Sequence, residues 1–197
     1  MANLIPGLVA QQISESIAVK EAMLNDAELV SQVEAINTQI IEAYRAGAKV
    51  LLAGNGGSAA DAQHIAAELV SRFTFDRPAL PAMALTTDTS ILTAISNDFG
   101  YENLFSRQLE ANARPGDVFI AISTSGNSPN IVRALKSAKD MGIISVGLTG
   151  ATGGEMADLC QYCVNIPSTD TARIQEGHIT IGHILCAGTE QVLFGEN

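Results

Sequence analysis

The chain is short of positive charge, of cysteine and of long apolar runs, and each shortage removes a class of function. Only 11 Lys and Arg stand against 21 Asp and Glu, a formal charge of −10. Nucleic acid is held first by clustered basic side chains, so polyanion binding is disfavoured. A small anion is still permitted, because backbone amides bind it locally whatever the overall charge. No run approaches the roughly 20 apolar residues that span a bilayer, and Met1 to Ala10 has neither the basic start nor the apolar core of a secretion signal. The expectation is a cytoplasmic protein with no membrane partner.

Cys160, Cys163 and Cys186 are an odd number of cysteines without a secretion signal, which argues against a disulfide framework. Cys160 and Cys163 form a C-x-x-C, but it has no second pair and leads into an apolar run. It reads as ordinary buried thiols more than as a redox or zinc site. Repeats, low-complexity tracts and linkers are lacking too, and 197 residues at 47% hydrophobic are enough to close one sizeable core. A single domain over 1–197 is expected, with a helical segment at 1–47 ahead of an α/β core at 48–197.

What is present follows one grammar. Ile13 and Ile17, then Leu29, Val33, Ile36 and Ile40, recur at helical spacing, and Asn25-Asp26 divides two helices before Gly47. After that, short apolar runs alternate with Gly/Ser/Thr turns and helical stretches. The runs are Lys49 to Ala53, Val118 to Ile122 and Ile143 to Leu148, with shorter ones at Ala82 to Leu85 and Cys163 to Ile166. Continuously apolar strands alternating with helices predict an α/β three-layer sandwich around a central, mostly parallel, five-stranded sheet, closed by a long helix from Asp170 to Phe194. Ligands of such sheets sit beyond the carboxyl ends of the strands, where the polar turns fall.

Two of those turns carry chemistry. Ser123-Thr124-Ser125-Gly126-Asn127-Ser128-Pro129 places four hydroxyls and a glycine between a strand and a helix that Ser128 can cap, with Pro129 at the first helical position. A cap needs one hydroxyl; four, with free amides and a helix dipole, suit a phosphate group. Gly54-Asn55-Gly56-Gly57-Ser58 is less decisive, since Gly54, Gly56 and Ala59 also fit the dinucleotide pattern G-x-G-x-x-A. Its position after two helices, and His64 and Glu68 in the helix that follows, disfavour a dinucleotide.

His64 and Glu68 share one face of a helix expected to start near Asp61, at the spacing of metal ligands, of an orienter beside a general base, or of a solvated salt bridge. On the terminal helix Gln175 and His183 are eight residues apart, about 80° in projection and roughly 12 Å along the axis. They meet one ligand only by reaching toward it, or from two copies of the chain. His183 lies in an apolar run, where a core histidine is the default reading; His178 has no assigned role. Asn97-Asp98-Phe99-Gly100 reads equally as a helix C-terminal turn closed by Gly100 and as an amide and carboxylate for sugar hydroxyls.

These motifs in this order resemble the SIS (sugar isomerase) domain family over nearly the whole chain, through Asn55 to Ser58, Asp61, His64, Glu68, Arg72, Asn97-Asp98-Phe99-Gly100, Ser123 to Ser128, Arg173-Ile174-Gln175-Glu176 and His183. The resemblance implies a flavodoxin-like fold and isomerisation of sedoheptulose 7-phosphate to D-glycero-D-manno-heptose 7-phosphate, at the start of ADP-heptose supply for lipopolysaccharide core or capsule. It implies that Ser123, Thr124, Ser125 and Ser128 bind phosphate with Asn55, Gly56, Gly57 and Ser58. Asn97, Asp98 and Gln175 would then contact the sugar, with Glu68 and His183 as the proton-transfer pair.

It further implies one zinc among His64, Glu68, Gln175 and His183, and a homotetramer packed through 1–47 with sites between subunits. Ala172 stands where the family often has Asp, with Asp170 two positions earlier. Some relatives use the same domain without catalysis, to engage a replication initiator, but they lack the counterparts of Glu68 and His183.

Overall fold

The computed structural model describes residues 5–195, so residues 1–4 and 196–197 of the expected 1–197 unit lie outside the described residues. Two helices open it, α1 (Leu8–Asn25) and α2 (Ala27–Arg45). They part at Asp26, whose carboxylate accepts from the amides of Glu28 and Leu29, each at 3.0 Å. On α2 the predicted apolar face is buried, with Leu29, Val33, Ile36 and Ile40 all in the core.

On α1 the spacing finds the helix but not its burial. Ile5, Val9, Ile13 and Ile17 form an outward stripe, each more than half exposed, and Met23 is the buried residue.

The remaining elements are β1 (Val50–Gly54), α3 (Gly57–Val70), β2 (Ala82–Ala84), α4 (Thr89–Phe99), a 3₁₀ turn (Tyr101–Asn103), α5 (Leu104–Asn112), β3 (Val118–Ile122), α6 (Pro129–Asp140), β4 (Ile144–Thr149), α7 (Met156–Leu159), β5 (Tyr162–Asn165) and α8 (Thr171–Phe194). The five strands form one sheet in the order β2-β1-β3-β4-β5, and all four pairings are parallel. Alternate residues serve opposite faces. Val50, Leu52, Val118, Ile120 and Ile122 pack with α2, α3 and α8, whereas Leu51, Ala53, Phe119 and Ala121 pack with α5 and α6. Burial on both faces is why these strands read as unbroken apolar runs.

The chain leaves β1 through α3 on one face and β3 through α6 on the other, so the order reverses between these two neighbours. A crevice opens at such a point beyond the strand ends, and both polar loops flank it. At the far edge Cys160 and Cys163 are half-buried free thiols, and Cys186 is a buried one. Among the described residues no helix is long and apolar enough to cross a membrane.

Candidate active site

The glycine loop leads into α3 at Gly57, four residues before the start expected near Asp61, because Gly56 supplies the turn with φ +57°. Gly57 has no room for a side chain: a Cβ there would collide with the Gln175 amide, which lies across the loop from α8. His64 and Glu68 keep their common face.

Across the crevice, the Ser123 and Ser128 hydroxyls are 2.9 Å apart and Ser125 Oγ lies 3.5 Å from Ser123 Oγ. Ser128 occupies the N-cap position of α6 with Pro129 first in the helix, yet its hydroxyl makes no cap bond. That departs from the expected cap: the side chain turns back to Ser123, leaving the hydroxyls grouped for an anion. Gly126 turns the loop with φ +68°, and any side chain there would strike the Gly153 carbonyl. The Met156 amide donates to the Gly126 carbonyl and the Gly150 amide to the Thr124 carbonyl, so the loops after β3 and β4 brace each other.

The Asn55 side chain faces protein partners. It exchanges two hydrogen bonds with the Asn130 amide, each 2.9 Å, and its Oδ1 accepts a third from Tyr101 Oη at 2.9 Å. Asn97 and Asp98 are exposed residues in the last turn of α4, which runs to Phe99 and ends at Gly100, φ +85°. Asn97 Nδ2 donates to Asp98 Oδ1 at 2.7 Å. The helix-end reading therefore holds for the backbone, and the Tyr101 contact brings the same turn to the ligand end of the sheet.

Helices α3 and α8 run side by side in the same direction, so Gln175 meets Gly57 and, two turns on, His183 meets His64. The two Nε2 atoms are 2.9 Å apart, and Glu68 Oε1 is 3.5 Å from His64 Nε2. The Phe73 ring lies against His183 with centroids 5.5 Å apart. The cluster is open to solvent, with His64 48% and Glu68 26% exposed in their side chains. The structure thus brings His64, Glu68 and His183 together and sets Gln175 beside the glycine loop. Asp61, one turn before His64, has a buried oxygen without a hydrogen-bond partner, and burial raises its carboxyl despite the nearby His64.

Two ring nitrogens at hydrogen-bond distance require one proton between two lone pairs, and a cation satisfies the same pair. With the Glu68 carboxylate beside them, this donor set suits zinc. Among the described residues no three His, Cys, Asp or Glu side chains stand in ready ligating geometry, so metal binding requires the two imidazoles to separate slightly.

The core histidine of α8 is His178, not His183. It is fully buried, its Nε2 lies 3.1 Å from the Thr149 carbonyl, and burial drives it down to about 4 against the lesser pull of that bond. The unfolded chain, titrating near 6.5, takes up this proton first as pH falls. Stability from this group is therefore complete above pH 6.5 and drains away toward pH 4, by about 3 kcal/mol. Replacing it, His178→Gln, is expected to flatten the dependence of the urea midpoint on pH across that window.

Sequence reasoning also missed a buried ion pair. Arg77 Nε lies 3.0 Å from Glu190 Oε2, with both side chains 1% exposed. Glu190 accepts from the amides of Phe73, Thr74 and Phe75, and Arg77 donates to the carbonyls of Glu68 and Leu69. Burial pushes the Glu190 carboxyl up, but these donors outweigh it and hold it below its usual range. Asp170 caps α8 through the amides of Ala172 and Arg173, which gives the carboxylate before Ala172 a structural task. Arg72 is exposed and pairs with Asp76.

Residues 14–150 match the SIS domain family. The chain is similar to the phosphoheptose isomerase of Aneurinibacillus thermoaerophilus, 65% identical over 94% of each chain, and to phosphoheptose isomerase 2 of Campylobacter jejuni, 61% identical over 93% of this chain and 91% of the relative. Among solved structures, phosphoheptose isomerase of Neisseria gonorrhoeae superposes with a TM-score of 0.87 at 41% identity, covering 93% of this chain and 97% of its own. Identity at this level over nearly the whole length leaves one assignment: the chain belongs to the SIS domain family, on its phosphoheptose isomerase branch.

Proposed function

We propose that the protein is the isomerase that converts sedoheptulose 7-phosphate to D-glycero-D-manno-heptose 7-phosphate. The observation that carries this is the spacing of its two kinds of group along α3. His64 lies two turns past Gly57, about 10 Å along the helix axis. From C2 of a heptulose to its phosphorus is seven bonds, about 8 Å in an extended chain. A phosphate held by the serine and glycine loops therefore sets C1 and C2 near Glu68 and His183.

The reaction moves one proton from C1 to C2 and one between the oxygens, through an enediol. Glu68, on the face shared with His64, takes the C1 proton and returns it to C2. His183 gives a proton to O2 and accepts one from O1, while its contact with His64 fixes the ring. Gln175 and the Asn97-Asp98 turn orient the hydroxyls between. Zinc, when held by His64, Glu68 and His183, with Gln175 joining them by swinging from the glycine loop, would supply Lewis-acid polarisation of the carbonyl, so Glu68 serves as base or ligand according to whether the metal is bound.

The assembly we infer is a homotetramer. The exposed stripe of Val9, Ile13 and Ile17 on α1, with Ile5 just ahead of the helix, supports packing between copies, since an apolar row of this kind marks an interaction surface. Phosphorylated substrate and product, which do not cross membranes unaided, support a cytoplasmic location. Contact between the helices bearing Glu68 and His183 favours catalysis over the initiator-binding role of relatives without those residues.

The test is incubation with sedoheptulose 7-phosphate before and after chelation and again after zinc addition. Aldose phosphate is expected to form, more slowly after chelation and at the restored rate with zinc. No aldose under any of the three conditions would overturn the reading.

A further inference from the structure

Resting on the phosphosugar reading above, we propose that Asn130 and Tyr101 are positioning residues that lash the glycine loop to the serine loop, so that both halves of the phosphate cradle form one unit before substrate arrives. Asn130 is 1% exposed at the second position of α6, directly after the serine loop. Its amide gives one hydrogen bond to Asn55 and takes one back, both 2.9 Å.

A buried side chain in that place must both donate and accept, which an amide does and a carboxylate or an aliphatic group does not. Tyr101 fills the second lone pair of Asn55 Oδ1. The Asn55 oxygen is then saturated, and a single N–H of its amide is left to meet an anion. The three residues come from three separate connections of the sheet, and together with Ser128 they wall a cavity of about 270 Å³ beside the serine hydroxyls.

Loops already joined need no ordering when phosphate binds, which favours affinity. The phosphate is gripped alike in ground and transition state, so a loosened cradle raises KM more than it lowers kcat. The test uses the full chain with Asn130→Leu and Tyr101→Phe, read by isomerisation kinetics and by calorimetric titration with inorganic phosphate.

For Asn130→Leu, KM and the phosphate Kd are both expected to rise about tenfold, the scale of two lost hydrogen bonds. For Tyr101→Phe, both are expected to rise about threefold. Tyr101 is 56% exposed, so its variant carries the test should Asn130→Leu not fold. Unchanged KM and phosphate Kd in folded variants would overturn the proposal, as would a loss borne by kcat with both constants unmoved. The phosphate titration needs no turnover, so a wild-type chain that binds phosphate without isomerising would sink the functional reading and leave the clamp separately judged.

Discussion

Glu68→Gln is expected to lower turnover of sedoheptulose 7-phosphate by about a thousandfold, within the usual range for loss of a general base. The amide keeps the shape of the carboxylate and can still meet His64, but it cannot hold the proton taken from C1. Since that proton is in flight only in the transition state, the loss should fall on kcat, with KM changed less than about threefold. The side chain is about a quarter exposed and its neighbour His64 about half, so thermal unfolding should be little altered. Exchange of the C1 proton with solvent deuterium should be lost in step with turnover. Near-normal turnover in a folded variant would show that another group is the base.

The largest effect on stability is expected from Arg77→Met. Removing one partner of a buried ion pair leaves the other charge uncompensated, at a cost of about 3–5 kcal/mol. In a chain of this size that is a fall in Tm of about 10 °C. Glu190 still receives three backbone amides in this variant, which favours the lower end of the range. The pair also has a reach into the site: Glu190 fixes the strand-free stretch carrying Phe73 against His183, and Arg77 holds the carbonyl of Glu68.

Glu190→Gln should be the milder change at low pH. The carboxyl titrates below its ordinary range, so its contribution is complete at neutral pH and is lost as pH falls through that lowered value. Urea midpoints for both variants at neutral and acid pH would check the order, and equal midpoints for wild type and Arg77→Met would refute it.

Much of the architecture was legible because local pattern and tertiary role agree. Strands β1, β3 and β4 are covered on both faces and announce themselves as apolar runs, and Asp26 and Asp170 are capping residues at visible helix starts. Where the two disagree, reading failed. The isoleucines of α1 have helical spacing but face away from the core of their own chain. The start of α3 at Gly57 leaves no mark in the sequence, because a glycine-built turn has no capping side chain to recognise. Ser128 sits at a cap position and turns its hydroxyl elsewhere.

The site divides in the same way. His64 and Glu68 are four residues apart and visible as a pair, and the serine loop declares itself by composition. Their partners do not. His183 lies 119 positions from His64, and only resemblance to a family joined them in the sequence. Asn130 is 75 positions from Asn55 and Glu190 is 113 from Arg77. No local signal marks either contact, because each is made by the topology of the sheet.

The order β2-β1-β3-β4-β5 has a consequence for how the chain reaches this state. The neighbouring strands β1 and β3 pair Val50 with Val118, so their hydrogen bonds form only after the whole intervening stretch has been gathered in. Loop-closure entropy must be met before that pairing gives anything back, which predicts slow folding, on the scale of milliseconds to seconds. Until then the most apolar strands lie bare, and synthesis at high concentration should lose more of this protein to aggregation than its final stability would suggest.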